Sequence, residues 1–164
     1  PPHGAQYTAY LAGELSRNTA NAVDICGSAV FAEDEVFYLD GYETQLCNLL
    51  SGEMKRISLV LDGRAAAIQL KCAPRLSVRL PESPEEPPVI RVRAAVRCDE
   101  ADAGKYVEAL RQDIASLLIK CQQWGADPVG FCERARMRVW TLMDWEALDW
   151  PELYRKAVFE IDIR

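Results

Sequence analysis

The chain has 164 residues, of which 49% are hydrophobic and 27% charged, so its composition is that of a globular domain large enough to bury a core. The formal net charge of −6 argues against a nucleic-acid-binding protein, because such affinity comes largely from Lys and Arg that neutralise phosphates. No apolar run approaches the roughly 20 residues that span a bilayer. The chain starts at Pro1 without a signal peptide, and we expect part of a longer protein, with a lead-in over residues 1–24 and one domain over residues 25–164.

Two β-rich runs, 26–31 and 36–39, lie on either side of a short acidic segment. Strand-forming residues around a polar break predict a β-hairpin. The next residues, from Tyr42 to Ser51, place tyrosine and leucine side chains at helical spacing, and Gly52 follows them. We therefore predict a short helix that ends at Gly52 and packs its apolar side on the sheet.

Alternating apolar and polar residues predict four further strands between residues 57 and 97. Such alternation suits an antiparallel sheet that is covered on one face. Asp62-Gly63 is a strong hairpin signal, and the proline-rich segment from Pro81 to Pro88 predicts a surface loop, because proline lacks the backbone donor. The apolar positions of these strands are Ile57, Leu59, Leu61, Ala66, Ile68, Leu70, Cys72, Leu76, Val78, Leu80, Ile90, Val92, Ala94 and Val96.

The second half of the chain predicts helices. Residues 102–123 carry an apolar stripe with a period of 3.6 residues, and Gly125 ends it. Asp127-Pro128 predicts the start of a second helix that runs to about Val139. Asp144 predicts the cap of a third, short helix that ends near Trp150.

A final strand is predicted over residues 159–163, where Phe159, Ile161 and Ile163 alternate with polar residues. Strands come first, helices follow, and one strand returns at the end. The predicted fold class is therefore α+β: a mainly antiparallel β-sheet with one face covered by a long helix and two or three shorter helices, and a C-terminal strand returning to the sheet.

The sequence offers little for catalysis. The single histidine, His3, lies at the terminus, so no Ser-His or Cys-His pair can be assembled, and the glycine motifs that bind phosphates or dinucleotides are absent.

None of the six cysteines forms a Cys-x-x-Cys pair. We expect mostly buried free thiols, with Cys72 and Cys121 on apolar faces, although one or two disulfides stay open if the domain is extracytoplasmic. The sequence predicts no enzyme activity, no cofactor and no metal.

Arginines alternate with apolar residues on two of the predicted strands. If these strands pair, the alternation places all the arginines on the polar face of one sheet. Two interpretations stay open: a solvated face balanced by nearby acids, or a docking surface for an acidic partner or anionic headgroups. The candidate docking residues, the predicted arginine face, are Arg75, Arg79, Arg91, Arg93 and Arg97.

The four tryptophans, Trp124, Trp140, Trp145 and Trp150, fall between residue 124 and residue 150. Large aromatic residues at the ends of helices usually close a core, and this is the interpretation we favour. The alternative is an aromatic pocket for a small ligand, although no group of convergent polar residues accompanies the tryptophans.

Two groups of motifs, taken in order, resemble a known family. The first is Gly27-Ser28-Ala29-Val30-Phe31, an acidic break, and Leu39-Asp40-Gly41-Tyr42-Glu43-Thr44. The second is Cys121-Gln122-Gln123, Asp127-Pro128-Val129-Gly130-Phe131, Trp150-Pro151-Glu152-Leu153-Tyr154 and a closing strand from Ala157 to Ile163. Together they resemble the C-terminal domain of the spore germinant-receptor C subunits, the Ger(x)C lipoproteins, over roughly residues 25–164.

The resemblance implies a non-enzymatic domain of a nutrient receptor of bacterial endospores, with a part in receptor assembly or signalling. It implies integral-membrane A and B subunits as partners. It also implies a lipid anchor upstream of Pro1 that holds the protein to the outer face of the spore inner membrane. The alternative is a small-ligand-binding extracytoplasmic domain of another lipoprotein, with a pocket lined by the tryptophans.

Overall fold

The computed structural model describes residues 9–12, 25–32, 35–83 and 86–164. Within these ranges the chain forms strands and helices in the order that the α+β prediction requires, and that fold class is confirmed. The strands are β1 (Ala9–Ala12), β2 (Ile25–Ala32), β3 (Glu35–Asp40), β4 (Arg56–Leu61), β5 (Arg64–Leu70), β6 (Arg75–Arg79), β7 (Val89–Ala94), β8 (Val96–Cys98) and β9 (Val158–Ile163). The helices are α1 (Gly41–Ser51), α2 (Ala103–Trp124), α3 (Phe131–Arg136), α4 (Leu142–Glu146) and α5 (Trp150–Lys156).

The described strands pair in three sheets, in the orders β1-β2-β3, β4-β5-β8 and β6-β7-β9. All pairs are antiparallel except β7 with β9, which run parallel because the chain returns to the sheet after crossing through the helices. β1 lies in the predicted lead-in and pairs with β2, so the predicted boundary near residue 25 falls between two strands of one sheet.

The core lies between α2 and the sheets. Leu110, Ile114, Leu118 and Cys121 are buried along one side of α2, as the 3.6-residue stripe predicts. The helix contacts β4, β8, β9, α1 and α5. Gly125 ends α2 in the left-handed conformation, with φ of 66°, which a glycine adopts without steric cost.

The hairpin between β2 and β3 and the following helix are confirmed, with Phe31 opposite Val36 in the register. The acidic turn between them includes residues 33 and 34, which lie outside the described residues. Asp40, the last residue of β3, is also the N-cap of α1. Its carboxylate accepts the amide of Glu43 at 2.7 Å, and the Glu43 carboxylate accepts the amide of Asp40 at 3.0 Å.

The helix predicted from Asp127 to Val139 is wrong in its bounds, because α3 covers only Phe131–Arg136. Residues 127–130 form a turn, and Gly130, with φ of 85°, is the N-cap. The Asp127 carboxylate is still the capping acceptor. It accepts hydrogen bonds from the backbone amides of Gly130 at 3.0 Å and Cys132 at 2.6 Å. The aspartate was identified correctly as a capping residue, but it acts across a turn.

The predicted third helix is two helices. Thr141, not Asp144, caps α4, and its hydroxyl accepts the amide of Asp144 at 3.0 Å. Asp149 then caps α5, in which Pro151 occupies the first turn, where a missing N–H costs nothing. Trp150 therefore begins a helix and does not end one.

Candidate docking surface

Four of the five arginines of the predicted face lie together on β6 and β7. Arg75 is directly opposite Arg93, and Ser77 is opposite Arg91, so these side chains project from the same face of the sheet. Arg79 is two residues beyond Ser77 and shares that face. We call Arg75, Arg79, Arg91 and Arg93 the β6–β7 arginines.

Arg97 lies apart from this group. It is on β8, opposite Gln69 of β5, in a different three-stranded sheet, and its Nε lies 2.7 Å from Asp99 Oδ1. The prediction of one sheet face with all five arginines is therefore wrong for Arg97. The alternating pattern continues through Ala95, but the strand is interrupted there, and the chain changes its pairing partner.

Acidic residues of β9 run alongside the β6–β7 arginines. Glu160 is in register with Arg91, and Asp162 is in register with Arg93. Arg91 donates to the Glu160 carboxylate, and this pairing lowers the pKa of Glu160 and raises that of Arg91. Asp162 accepts from Arg164 Nε at 2.8 Å. The acids balance part of the face, as the solvated-face interpretation expects.

The remaining β6–β7 arginines are exposed. Arg75, Arg79 and Arg93 form no ion pair with any residue in the described ranges, although Arg79 and Arg93 contribute to the low pKa of Glu160 through charge. Exposed guanidinium groups without a fixed acidic partner can form bidentate contacts with carboxylates or phosphates. This part of the surface therefore has the chemistry of an anion-binding face.

A groove of about 330 Å³ opens along the edge strand β6. Arg79, Arg91 and Ser77 line it together with Arg138, which follows α3. α3 packs against β6, so a residue distant in sequence joins the β6–β7 arginines. The sequence does not indicate Arg138 as part of this surface, because it lies far from the two arginine-bearing strands, in the helix predicted to run to about Val139.

Three of the four tryptophans take part in packing, as predicted. Trp124 stacks on Phe37 with a centroid distance of 4.7 Å, and Trp145 stacks on the buried Trp150 at 6.3 Å. Trp140 contradicts the prediction, because it is 99% exposed. The groove along β6 and a second groove between α2 and β9 have no tryptophan in their linings, so neither is the aromatic pocket that the alternative function requires.

The residues of the first family motif hold β2, β3 and α1 together. A Cβ at Gly27 would lie 2.5 Å from the Leu39 carbonyl oxygen, so only glycine lets β2 approach β3 at this point. The hydroxyls of Ser28 and Thr44 are 2.8 Å apart and buried. Glu43, besides closing the capping box, accepts from Lys120 Nζ of α2 at 2.6 Å. The motif specifies a junction of β2, β3, α1 and α2.

The second motif has a similar structural role, and it also acts at the C-terminal end of α2. Gln122 Nε2 donates to the carbonyl oxygens of Tyr154 at 3.0 Å and Ala157 at 2.7 Å, which ties α2 to the end of α5 and the start of β9. Asp127 holds the N-terminus of α3. Burial raises the pKa of this carboxyl, and the backbone amides that it accepts oppose the rise. These motif residues position the polypeptide around the C-terminal end of α2.

Cysteine placement differs from the prediction at one position. Cys121 is buried in the core, as expected, but Cys72 is exposed, because β5 ends at Leu70 and the chain turns before Cys72.

Among the described residues, no cluster of three or more His, Cys, Asp or Glu side chains could hold a metal ion. In the same residues, no helix is long and apolar enough to cross a membrane.

No family model matches the sequence, and no curated protein matches it. Among solved structures, the crystal structure of the GerBC protein matches with a TM-score of 0.62 and 17% sequence identity. The match covers 84% of this chain and 49% of the GerBC chain, so this chain spans about half the length of that protein. The chain therefore has the fold of a part of the GerBC protein.

Proposed function

We propose that this chain is a non-enzymatic domain of a C subunit of a bacterial spore germinant receptor and contributes to receptor assembly or signalling. The observation that carries the proposal is the fold likeness to the GerBC protein over 84% of the chain. The motifs that resemble the Ger(x)C lipoproteins support it, because Gly27, Thr44, Gln122 and Asp127 form the contacts that join the elements of this fold.

The partners in this proposal are the integral-membrane A and B subunits of the receptor. The full-length protein would be held by an N-terminal lipid on the outer face of the spore inner membrane. The exposed arginines Arg75, Arg79 and Arg93 are the docking residues that we assign to an acidic surface of a partner. Opposite charges on two surfaces favour encounter and fix their relative orientation.

Co-purification tests this function. The tagged full-length protein is isolated from detergent-solubilised spore membranes, and the bound proteins are identified by mass spectrometry. The A and B subunits are expected in the eluate. Recovery of the protein from spore membranes without either subunit, under conditions in which A and B remain associated with each other, would contradict the proposal.

The docking role is tested by charge reversal. Arg75→Glu with Arg93→Glu changes two directly opposed residues and leaves the Arg91–Glu160 pair in place. The matched control, Arg56→Glu with Arg64→Glu, makes the same charge change at exposed positions of β4 and β5. The first pair is expected to lower the yield of A and B several-fold, with the unfolding midpoint of the chain retained. Equal yields from both variants would reject these arginines as docking residues.

A further inference from the structure

The segment from Met137 to Met143 exposes an unusual amount of apolar surface. Met137 is 76% exposed, Trp140 is 99% exposed, Leu142 is 59% exposed and Met143 is 80% exposed. These side chains lie between the end of α3 and the first turn of α4. Single exposed apolar residues are common, but a contiguous group of large ones marks a site of interaction.

Trp140 makes almost no contact with the domain. The other tryptophans are held by stacking on Phe37 or on each other, whereas Trp140 forms no ring contact with a described residue. The segment also contributes little to the core, since none of α4 is buried. Its apolar side chains are therefore available to a partner without unfolding of the domain.

The charge on the α3 side of this apolar group is positive, while the acids Asp144 and Glu146 follow it on α4. From Arg134 to Met143 the sequence contains three arginines and no acid. Arg136 and Arg138 are exposed and form no ion pair within the described part of the chain. Arg138 also lines the β6 groove with Arg79 and Arg91, so the basic surface continues from the segment onto the β6–β7 arginines.

We propose that the Met137–Met143 segment inserts into the interfacial layer of an anionic lipid bilayer. Tryptophan rings prefer the headgroup level because one part of the ring is apolar and the other carries an N–H donor. The side chains of Met137, Leu142 and Met143 would lie deeper in the bilayer than the headgroups. The arginines can extend their charged ends to the lipid phosphates. The whole chain carries a net charge of −6, so the acidic parts of its surface would be repelled and would keep this end towards the membrane.

A lipid surface fits this segment better than an apolar groove of another protein. Trp140 stands clear of its own domain, and on the α3 side Arg136 and Arg138 adjoin the apolar group with no intervening acid. The inference stands on exposure and charge alone. Insertion of this segment does not require the chain to be a receptor subunit, because only the chain and lipid vesicles take part in the binding.

The test is sedimentation of the 164-residue chain with vesicles of phosphatidylcholine alone or mixed with phosphatidylglycerol. Binding to the mixed vesicles is expected, and it should weaken as salt is added. Trp140→Ala is expected to reduce binding about tenfold, and Arg138→Ala about fivefold. Val60→Ala, which truncates a 67% exposed apolar side chain on β4, serves as the matched control and should bind as the unmodified chain does.

Fluorescence gives an independent measurement. The emission of Trp140 should shift to the blue on addition of mixed vesicles, and the shift should disappear in Trp140→Phe. Failure of the unmodified chain to bind mixed vesicles overturns the proposal, as does equal binding by Trp140→Ala and Val60→Ala. In that case, a photoreactive residue at position 140 that cross-links to a protein in spore membranes would assign the segment to a protein partner.

Discussion

The side-chain oxygens of Ser28 and Thr44 lie 2.8 Å apart at a fully buried point between β2 and α1. The Thr44 hydroxyl gives its single proton to the carbonyl oxygen of Asp40, also at 2.8 Å. Ser28 must therefore be the donor in the Ser28–Thr44 bond, since each hydroxyl has one proton. Strand β2, the N-cap of α1 and the first turn of that helix thus share one directed chain of hydrogen bonds.

Thr44→Val is expected to destabilise the domain more than Ser28→Ala does. Valine preserves the shape but removes the acceptor of Ser28 and the donor to Asp40, which leaves a buried hydroxyl unsatisfied at a cost of about 1–3 kcal/mol. Ser28→Ala leaves the bond from Thr44 to Asp40 in place. Urea unfolding of the two variants and the double variant measures the free energies. Equal losses in the two single variants would contradict the assigned direction of the bond.

Gly27→Ala is expected to lower the free energy of unfolding by about 1–3 kcal/mol, because the new methyl group would approach the Leu39 carbonyl oxygen to 2.5 Å. Both atoms belong to paired strands, so neither can move without disturbing the ladder. Gly104→Ala is the matched control. Nothing lies within 4 Å of a Cβ there, and the residue is in the first turn of α2, so this change should be neutral or stabilising. Similar losses at both positions would remove the steric explanation.

The elements that could be predicted from the sequence are those specified by a local pattern. The stripe of α2 and the turn at Asp62-Gly63 involve neighbouring residues only, and both are confirmed. The capping box of Asp40 and Glu43 also follows a local pattern, because the two acids stand three residues apart before an apolar run, although it is not among the predictions above.

The features that could not be predicted depend on distant parts of the chain. Arg97 continues the alternation of β7, but β8 pairs with β5, and nothing in the local sequence distinguishes the two partners. Arg138 joins the β6–β7 arginines only because α3 packs on β6. Tryptophan is a residue type that is usually buried, but Trp140 is exposed in the segment that follows the end of α3 at Arg136. Periodicity identifies a face, while the partner of that face is set by tertiary packing.

Gln122→Ala is expected to destabilise the attachment of β9 selectively. The amide of Gln122 is the donor to two carbonyl groups, of Tyr154 and Ala157, that flank the end of α5. Their loss should cost about 1–3 kcal/mol and increase amide exchange in β9 more than in β4. Gln123→Ala is the matched control, since this exposed neighbour has no such bonds. Uniform acceleration of exchange across the sheets would contradict a local anchoring role.

The cysteines should differ widely in their reaction with iodoacetamide. Burial, together with the nearby carboxylates of Glu43 and Asp127, raises the pKa of Cys47 to about 12. Burial also raises the pKa of Cys121. At about pH 8, a thiol with a pKa of about 12 is a thiolate in about one molecule in ten thousand, and the thiolate is the reactive form. Among the cysteines whose burial the structure describes, Cys72 is the exposed one and should be modified first.

Peptide mass spectrometry after short labelling times measures this order residue by residue. Raising the pH by about one unit should leave Cys47 almost unmodified, because about 99.9% of it remains protonated. Labelling in urea provides the control, in which Cys47, Cys72 and Cys121 should react at similar rates once the core is open. Modification of Cys47 as fast as Cys72 in the folded chain would show that the junction of β2, β3, α1 and α2 opens readily. It would also contradict the rigid hydrogen-bonded junction of Ser28 and Thr44, which lies three residues from Cys47 on α1.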